Sequence, residues 1–233
     1  MIPRKLRWQF SLFVLLLLTT PGVLAQRRRP PGGRLAVIAD ERLSALRSTP
    51  ELSAKLLRRL SRGSLVAIRG AKTNRDGVSF FLVNVSSRTH GWIQRESLVV
   101  PSQRGDDVRL LYLIEHSTDF ERISRARIFL EYFPRSPLRA QVLLMFGDAA
   151  EDLGAMLSRD AARRLRQLPD DVPESSYFLN YVGLDRYNRQ GITFVFDRQA
   201  KLFHYDGRVW REIVRYYPGS HEAAEARKRL RMT

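Results

Sequence analysis

The spacing of apolar residues changes near the middle of the chain, and this change constrains the fold more than any other feature. Before residue 101 apolar and polar residues alternate, as at Leu35, Val37 and Ala39, which is typical of short β-strands. After residue 105 apolar residues recur every three or four positions, which is typical of amphipathic helices. We therefore predict a mixed fold of two domains, an all-β unit over 35–101 and a mostly helical unit over 106–233, with a junction over 102–105.

The first 25 residues predict export. Three basic residues precede an apolar run over 10–18, and small residues follow up to Ala25. This layout is typical of a signal peptide, here over 1–25 and cleaved after Ala25, and it predicts a periplasmic or extracellular location. The alternative is an uncleaved leader that anchors the chain in the inner membrane, which the arginines at 27–29 favour because they resist translocation.

Residues 26–34 predict a linker, because arginine, proline and glycine dominate the segment. The whole chain carries 40 basic and 24 acidic residues, and its formal net charge of +16 falls to +13 without the leader. Such an excess favours acidic proteins, anionic wall polymers or an anionic membrane surface as partners. Export argues against nucleic acid, and the alternative without any partner is that the arginines form solvated surfaces.

The chain contains no cysteine. Disulfides, thiolate metal sites, a lipid-anchored cysteine and a cysteine nucleophile are therefore excluded. Envelope enzymes that cut wall peptides with a cysteine nucleophile are excluded with them.

Several short apolar runs subdivide the β unit. Strands are predicted over 65–68, over 81–85 and from Trp92 to Val100, and Asp76-Gly77 predicts a hairpin turn. The leucines between 52 and 60 have helical spacing instead.

A set of residues across about 65 positions has the order of a known module: Leu43, Leu46-Arg47, Leu57, Leu60, Gly63, Val66, Ile68, Val83, Val85, Gly91-Trp92-Ile93 and Leu98. With this set, the β unit resembles a bacterial SH3-like domain. The resemblance implies a small all-β barrel used for attachment and recognition in an envelope protein, with no catalytic residues. For Trp92 we favour packing at the core or barrel end, and contact with a ligand is the alternative.

Capping residues divide the helical unit. Asp106 or Asp107 is expected to cap one helix and Ser117, Thr118 or Asp119 a second, and Ser136 with Pro137 predicts the start of a third. A packing stripe of that helix contains Ala140, Leu143, Leu144, Gly147 and Ala150. A further helix is predicted near 177–188, then a hairpin over 192–205, and then two helices that begin after Asp206 and Ser220.

An imperfect repeat relates two parts of this unit. Residues 131–136 and 215–220 share two aromatics, a proline and a serine at an offset of 84 positions. This order of residues at the helix boundaries resembles that of divergent tetratricopeptide-like repeats in envelope-assembly proteins. The resemblance implies a helical platform that docks other proteins, with the hairpin as an insertion.

Aromatic residues are concentrated in the last sixty positions, and their spacing favours a core over a sugar- or peptide-binding surface. They are Tyr177, Phe178, Tyr181, Tyr187, Phe194, Phe196, Phe203, Tyr205, Trp210, Tyr216 and Tyr217.

Residues suited to catalysis do not form a recognisable set. His90, His116, His204 and His221 lack metal-ligand spacing, and the carboxylate neighbours at 151–152 and 170–171 lie in polar stretches. We predict no metal, no cofactor and no enzymatic activity.

The sequence thus predicts a noncatalytic scaffold protein of the cell envelope. Its expected partner is a protein or a peptidoglycan component. Two alternatives stay open: a wall-polymer hydrolase with an unrecognised site, and a basic membrane-peripheral protein with an uncleaved leader.

Overall fold

The computed structural model describes residues 30–168 and 173–231. Within these ranges the protein is mixed, with a seven-stranded antiparallel sheet, a two-stranded hairpin and seven α-helices. The strands are β1 Arg34–Ile38, β2 Ala45–Arg47, β3 Leu56–Arg59, β4 Leu65–Thr73, β5 Ser79–Asn84, β6 His90–Gln94, β7 Leu98–Val99, β8 Phe194–Asp197 and β9 Leu202–Tyr205. The helices are α1 Asp106–Glu115, α2 Asp119–Tyr132, α3 Arg139–Leu165, α4 Glu174–Leu179, α5 Asp185–Asn188, α6 Arg208–Tyr216 and α7 His221–Arg229.

The large sheet is open, with the strand order β3-β2-β6-β5-β4-β1-β7. No ladder between described residues joins β3 to β7. The closed barrel expected over 35–101 is therefore wrong, although the prediction of short antiparallel strands is confirmed. The turn at Asp76-Gly77 is also confirmed, since it connects β4 to β5 and Gly77 has a φ of +80°.

The two faces of the sheet belong to two different hydrophobic cores. One face encloses the core of the sheet itself, formed by Ala36, Ile38, Leu46, Leu60, Val66, Ile68, Phe81, Val83, Ile93, Leu98 and Val100. At the β1 and β7 end the opposite face packs against the helices through Val37, Ala39 and Val99. Because successive strand residues point to opposite faces, one strand such as β1 serves both cores.

Two segments of the sheet differ from their sequence-based descriptions. The leucines with helical spacing lie in a loop and in β3, because the segment pairs with β2 and leaves Leu52, Leu56 and Leu57 exposed. The single closing strand expected from Trp92 to Val100 is split into β6 and β7 by a 3-10 turn over Arg95–Ser97. That turn redirects the chain from one side of the sheet to the other.

The first three helices follow the sheet. The cap expected at Asp106 or Asp107 is wrong, because α1 begins at Asp106 after the N-cap residue Gly105. Thr118 is the N-cap residue of α2, as one of the predicted candidates, but its side chain forms no capping bond. α3 begins later than predicted, at Arg139, while the Ser136 hydroxyl binds Asp107 and accepts a bond from the Leu138 amide. The predicted packing stripe of α3 is buried apart from Leu144, which is half-buried.

The region after residue 173 contains shorter elements. The helix expected near 177–188 is wrong as one element, since α4 and α5 are separated by a 3-10 turn that contains Gly183. The predicted hairpin is confirmed as β8 and β9. The Ser220 cap is confirmed as well, because its hydroxyl accepts a bond from the Ala223 amide at 3.1 Å.

The predicted leader and residues 26–29 of the predicted linker lie outside the described residues. The remaining linker residues run along the sheet, where the side-chain amide of Asn84 donates from Nδ2 to the carbonyl of Pro31 at 3.0 Å. Within the described ranges, no helix has the length and apolar character needed to cross a membrane.

Candidate functional site

Two arginines hold the sheet and the helices together at one carbonyl. Arg62, in the loop before β4, and Arg125, on α2, donate from Nε to the Ala39 carbonyl at 3.2 and 3.3 Å. Both also pair with Glu121 at 2.8 Å. Since Arg125 is only 2% exposed, this contact is a buried polar link between the two parts of the chain.

Asp40 adds a carboxylate to the same link. It pairs with Arg42 at 2.8 Å and lies 3.6 Å from the guanidinium of Arg125. The hydrogen bond from Arg42 lowers the pKa of Asp40 below its usual value. Burial lowers the pKa of Arg125, although the charge of Glu121 opposes this effect.

A cleft of about 690 Å³ opens beside this link, between the sheet, α2 and α5. Two further cavities, of about 390 and 340 Å³, lie along α3. Met156, which is 37% exposed, lines all three. They form one extended depression, which we call the junction groove; it runs from Glu41 and Arg62 on the sheet side to Arg163 on α3.

Three arginines along the first part of the junction groove have no ion-pair partner among the described residues. Arg127, Arg186 and Arg189 line the cleft, and none of them forms an ion pair with a carboxylate in the described ranges. The guanidinium of Arg186 lies 3.9 Å from the ring centroid of Phe120, which holds the charge at the cleft wall. Arg127 donates to the backbone carbonyl of Arg189 at 3.3 Å.

A further arginine approaches from α6. Arg208 donates to the Gly191 carbonyl at 2.5 Å. The point that a Cβ of residue 191 would occupy lies 3.4 Å from Nη1 of Arg127 and 3.8 Å from Nη2 of Arg208. Two guanidinium groups from α2 and α6 thus converge on one loop, and neither forms an ion pair with a described carboxylate, although Glu131 lines the same cleft. This arrangement suits a carboxylate ligand.

Acidic groups in the junction groove are partly engaged already. Glu121 neutralises the two arginines of the buried link, and Glu41 accepts a bond from the Arg62 amide at 2.6 Å. Asp119, the first residue of α2, has a φ of +47°, a left-handed conformation that is costly for a residue other than glycine. This strained residue lines two of the three cavities.

The outer face of the sheet offers a second surface. Trp92 is half-buried there and is not part of the sheet core, so core packing, one of the two positions expected for it, is not found. It is paired across the strands with Arg47 and with Leu82. An aromatic ring, a guanidinium and an apolar side chain therefore form a row that solvent reaches.

The aromatic residues after 176 form a core, as predicted. Phe178, Phe203, Tyr205 and Trp210 are almost completely buried, and only Tyr216 among the set is strongly exposed, at 63%. Burial and the hydrogen bond to Asp160 raise the pKa of Tyr181 to about 12. For the sugar-stacking alternative, Tyr216 is therefore the one strongly exposed ring of this set.

One histidine contacts one of the paired carboxylates. His204 binds Glu151 at 2.8 Å, whereas Asp152 lines the junction groove. No group of three or more potential ligands with metal-binding geometry occurs in the described ranges. The pair at 170–171 lies outside them.

Sequence patterns could not have identified the junction groove. Arg127, Arg189 and Arg208 lie on separate elements and share no spacing, so only the fold brings them together. The one signal was the arginine excess of the chain.

Comparison with known protein families, with curated proteins and with solved structures found no match.

Proposed function

We propose that this chain is a noncatalytic scaffold protein of the cell envelope whose junction groove holds an acidic segment of a protein partner. The observation that carries the proposal is the set of groove arginines without carboxylate partners. An unpaired guanidinium offers up to five donors in a planar fork, which matches a carboxylate in charge and in geometry. Arg127 donates to a backbone carbonyl, and neither it nor Arg189 forms an ion pair with a described carboxylate, so an acidic segment that enters the groove gains these contacts without breaking one.

The shape of the groove supports a polypeptide as the partner. Its three cavities share one exposed methionine and follow α3, so an extended segment has apolar contact along its length. Methionine is flexible and polarisable, and it adapts to different partner side chains. A small rigid ligand needs one enclosed pocket instead.

In this proposal the sheet is an SH3-like module and the helices are a tetratricopeptide-like platform. The tetratricopeptide-like part is supported by a repeated arrangement in which a proline separates two helices. It occurs between α2 and α3 and again between α6 and α7. Export through the leader places both parts in the periplasm or outside the cell.

A wall component is the second candidate partner, and the row of Arg47, Trp92 and Leu82 favours it. Aromatic rings stack on sugars, and a neighbouring guanidinium binds the carboxylates that wall peptides carry. This surface lies on the sheet, so the two candidates are separable by mutation.

The main candidate is tested by titrating the full chain with a glutamate-rich peptide of about ten residues at increasing ionic strength. We expect saturable binding that weakens steeply with salt, because screening shortens to about 8 Å at physiological ionic strength. Binding that is insensitive to salt would contradict a carboxylate–arginine contact. In a parallel assay, turnover of purified wall by the chain would show a hydrolase and refute the noncatalytic proposal.

A further inference from the structure

The two edge strands of the large sheet differ in whether side chains from the rest of the chain cover their backbone. At the β7 edge, side chains of α1 form hydrogen bonds with backbone groups of the chain around β7. Asp106 accepts from the Val100 amide at 2.7 Å, and Arg109 donates to the carbonyls of Leu98 and of Glu96. This edge is therefore closed to another strand. The opposite edge, β3, has no such cover among the residues that the structure describes.

The backbone of β3 has one free side. The Leu60 amide donates to the Ser44 carbonyl, and Arg58 is paired with Leu46. Because backbone groups of an antiparallel strand alternate between its two sides, those of Arg59 point away from β2, while Leu57 is the extra residue at a register shift and has no partner in β2. Across the described ranges no hydrogen bond is made to that open side.

Exposed apolar side chains lie along the same edge. Leu52, Leu56 and Leu57 are each 46% exposed, although leucine is usually buried. Leu52 comes from the loop before β3, and Leu56 and Leu57 are neighbours in β3, so exposed apolar side chains flank the open edge. Exposed apolar side chains beside an open strand edge are typical of an interaction surface.

The charge at this edge selects the kind of partner. Lys55, Arg58 and Arg59 form no ion pair with any carboxylate that the structure describes, and nearby Glu51 is directed to Asn74. A second copy of β3 would bring four arginines together across one ladder, and this repulsion disfavours self-association. A strand that carries carboxylates gains ion pairs in the same position.

We propose that the β3 edge binds an extended acidic segment of a partner protein, which adds to the sheet as a further strand. Main-chain hydrogen bonds to Leu57 and Arg59 supply affinity, and contacts with the leucines and arginines supply selectivity. This site is separate from the junction groove, and either can exist without the other.

The test uses the full chain and a peptide of about ten residues in which valine and glutamate alternate. We expect the amides of Leu57 and Arg59 to become protected from hydrogen exchange by about tenfold or more. A matched peptide of valine and lysine is expected to give no protection. Protection located elsewhere, or equal protection by the lysine peptide, would overturn the proposal.

Charge reversal separates this site from general attraction to a basic protein. Arg58→Glu with Arg59→Glu is expected to weaken binding of the valine–glutamate peptide by about tenfold or more, which corresponds to about 1.4 kcal/mol. Arg88→Glu with Arg95→Glu changes the net charge equally on exposed positions away from β3 and serves as the control. Equal loss in both variants would refute a specific site.

Sedimentation of the unliganded chain tests the competing occupant. We expect a monomer at all concentrations. A dimer that Leu56→Glu abolishes would identify a second copy as the occupant and overturn the proposal. The groove variant Arg127→Glu with Arg189→Glu should leave binding at β3 unchanged, so failure of one proposal is distinguishable from failure of the other.

Discussion

Asp40 shows how single residues at the sheet–helix contact couple charge to stability. Its side chain is 7% exposed, and Arg42 and Arg125 approach it from the sheet and from α2. The hydrogen bond from Arg42 lowers its pKa below the reference value of 3.8. A carboxylate with a lowered pKa stabilises the folded state above its unfolded pKa, and the stabilisation is lost as the pH falls through the folded pKa.

We therefore expect Asp40→Asn to remove part of the acid sensitivity of the protein. At neutral pH the variant should unfold at lower denaturant concentration than the parent, because the ion pairs are lost. The difference should begin to shrink as the pH falls below about 3.8 and should vanish only below the lowered pKa of folded Asp40, where the parent is protonated as well. Denaturant unfolding across pH measures this, and a gap that stays constant down to low pH would contradict it.

Trp92 shows what single residues in the sequence could and could not indicate. Alternation placed it correctly on a strand, β6. Which face of that strand is covered depends on where the helices dock, and they cover only the β1 and β7 end. The sequence therefore predicted the strand but not the exposure of the side chain.

At the scale of elements, the packing of α3 on α6 depends on one glycine. A Cβ at Gly147 would lie 2.3 Å from Nε1 of Trp210, which is 1% exposed. The small residues predicted in the α3 stripe thus do allow close approach. The contact is a rigid one, because the indole is enclosed and cannot turn away.

Gly147→Ala is expected to destabilise the protein. Overpacking in a core costs typically about 1–3 kcal/mol, and the severe overlap here places the cost at the upper end. Alanine regains roughly 1 kcal/mol of helix propensity, which leaves a net loss of about 2 kcal/mol. Denaturant unfolding measures the change; Gly219→Ala is the control, since a Cβ there meets nothing within 4 Å. Equal stability of the Gly147 variant and the parent would contradict this packing.

Elements with strong local signals were predictable and those set by distant contacts were not. The hairpin β8–β9 follows from alternation around a turn, and the start of α7 follows from the Ser220 cap. The leucines of β3 have helical spacing, yet pairing with β2 determines their conformation. Local propensity is a weak guide wherever a neighbouring strand supplies the hydrogen bonds.

For the whole molecule, the main question is how firmly the sheet and the helices are joined. The contact between the sheet and the helices contains buried apolar residues, such as Val37 and Val99, and the buried Arg125. The segment over 102–105 that connects them is mostly exposed. That the chain has two folding units joined at this segment stays a prediction. Because of the contact between them, we expect the two units to remain associated after the segment is cut.

A protease recognition sequence inserted between Ser102 and Gly105 tests this. After cleavage we expect two fragments on a denaturing gel that elute together from a sizing column, and that separate only in denaturant. Fragments that separate without denaturant would show that the contact is too weak to hold them. Degradation of one fragment during cleavage would show that it does not fold as a unit.

The candidate site itself belongs to the scale of the whole molecule. The junction groove includes residues from the sheet side, α2, α3 and α5, so no local motif records it. The sequence predicted a helical platform and an arginine-driven contact with an acidic partner. It did not predict the junction groove, the candidate site, which lies where the two parts of the chain meet.

The central claim is that groove arginines hold an acidic segment, and charge reversal tests it most directly. We expect Arg127→Glu with Arg189→Glu to weaken binding of the glutamate-rich peptide by about tenfold or more, with an unchanged melting temperature. Arg88→Glu with Arg95→Glu, which carries the same net charge, should bind nearly as well as the parent. Equal weakening in both variants, or none in the groove variant, would contradict the account.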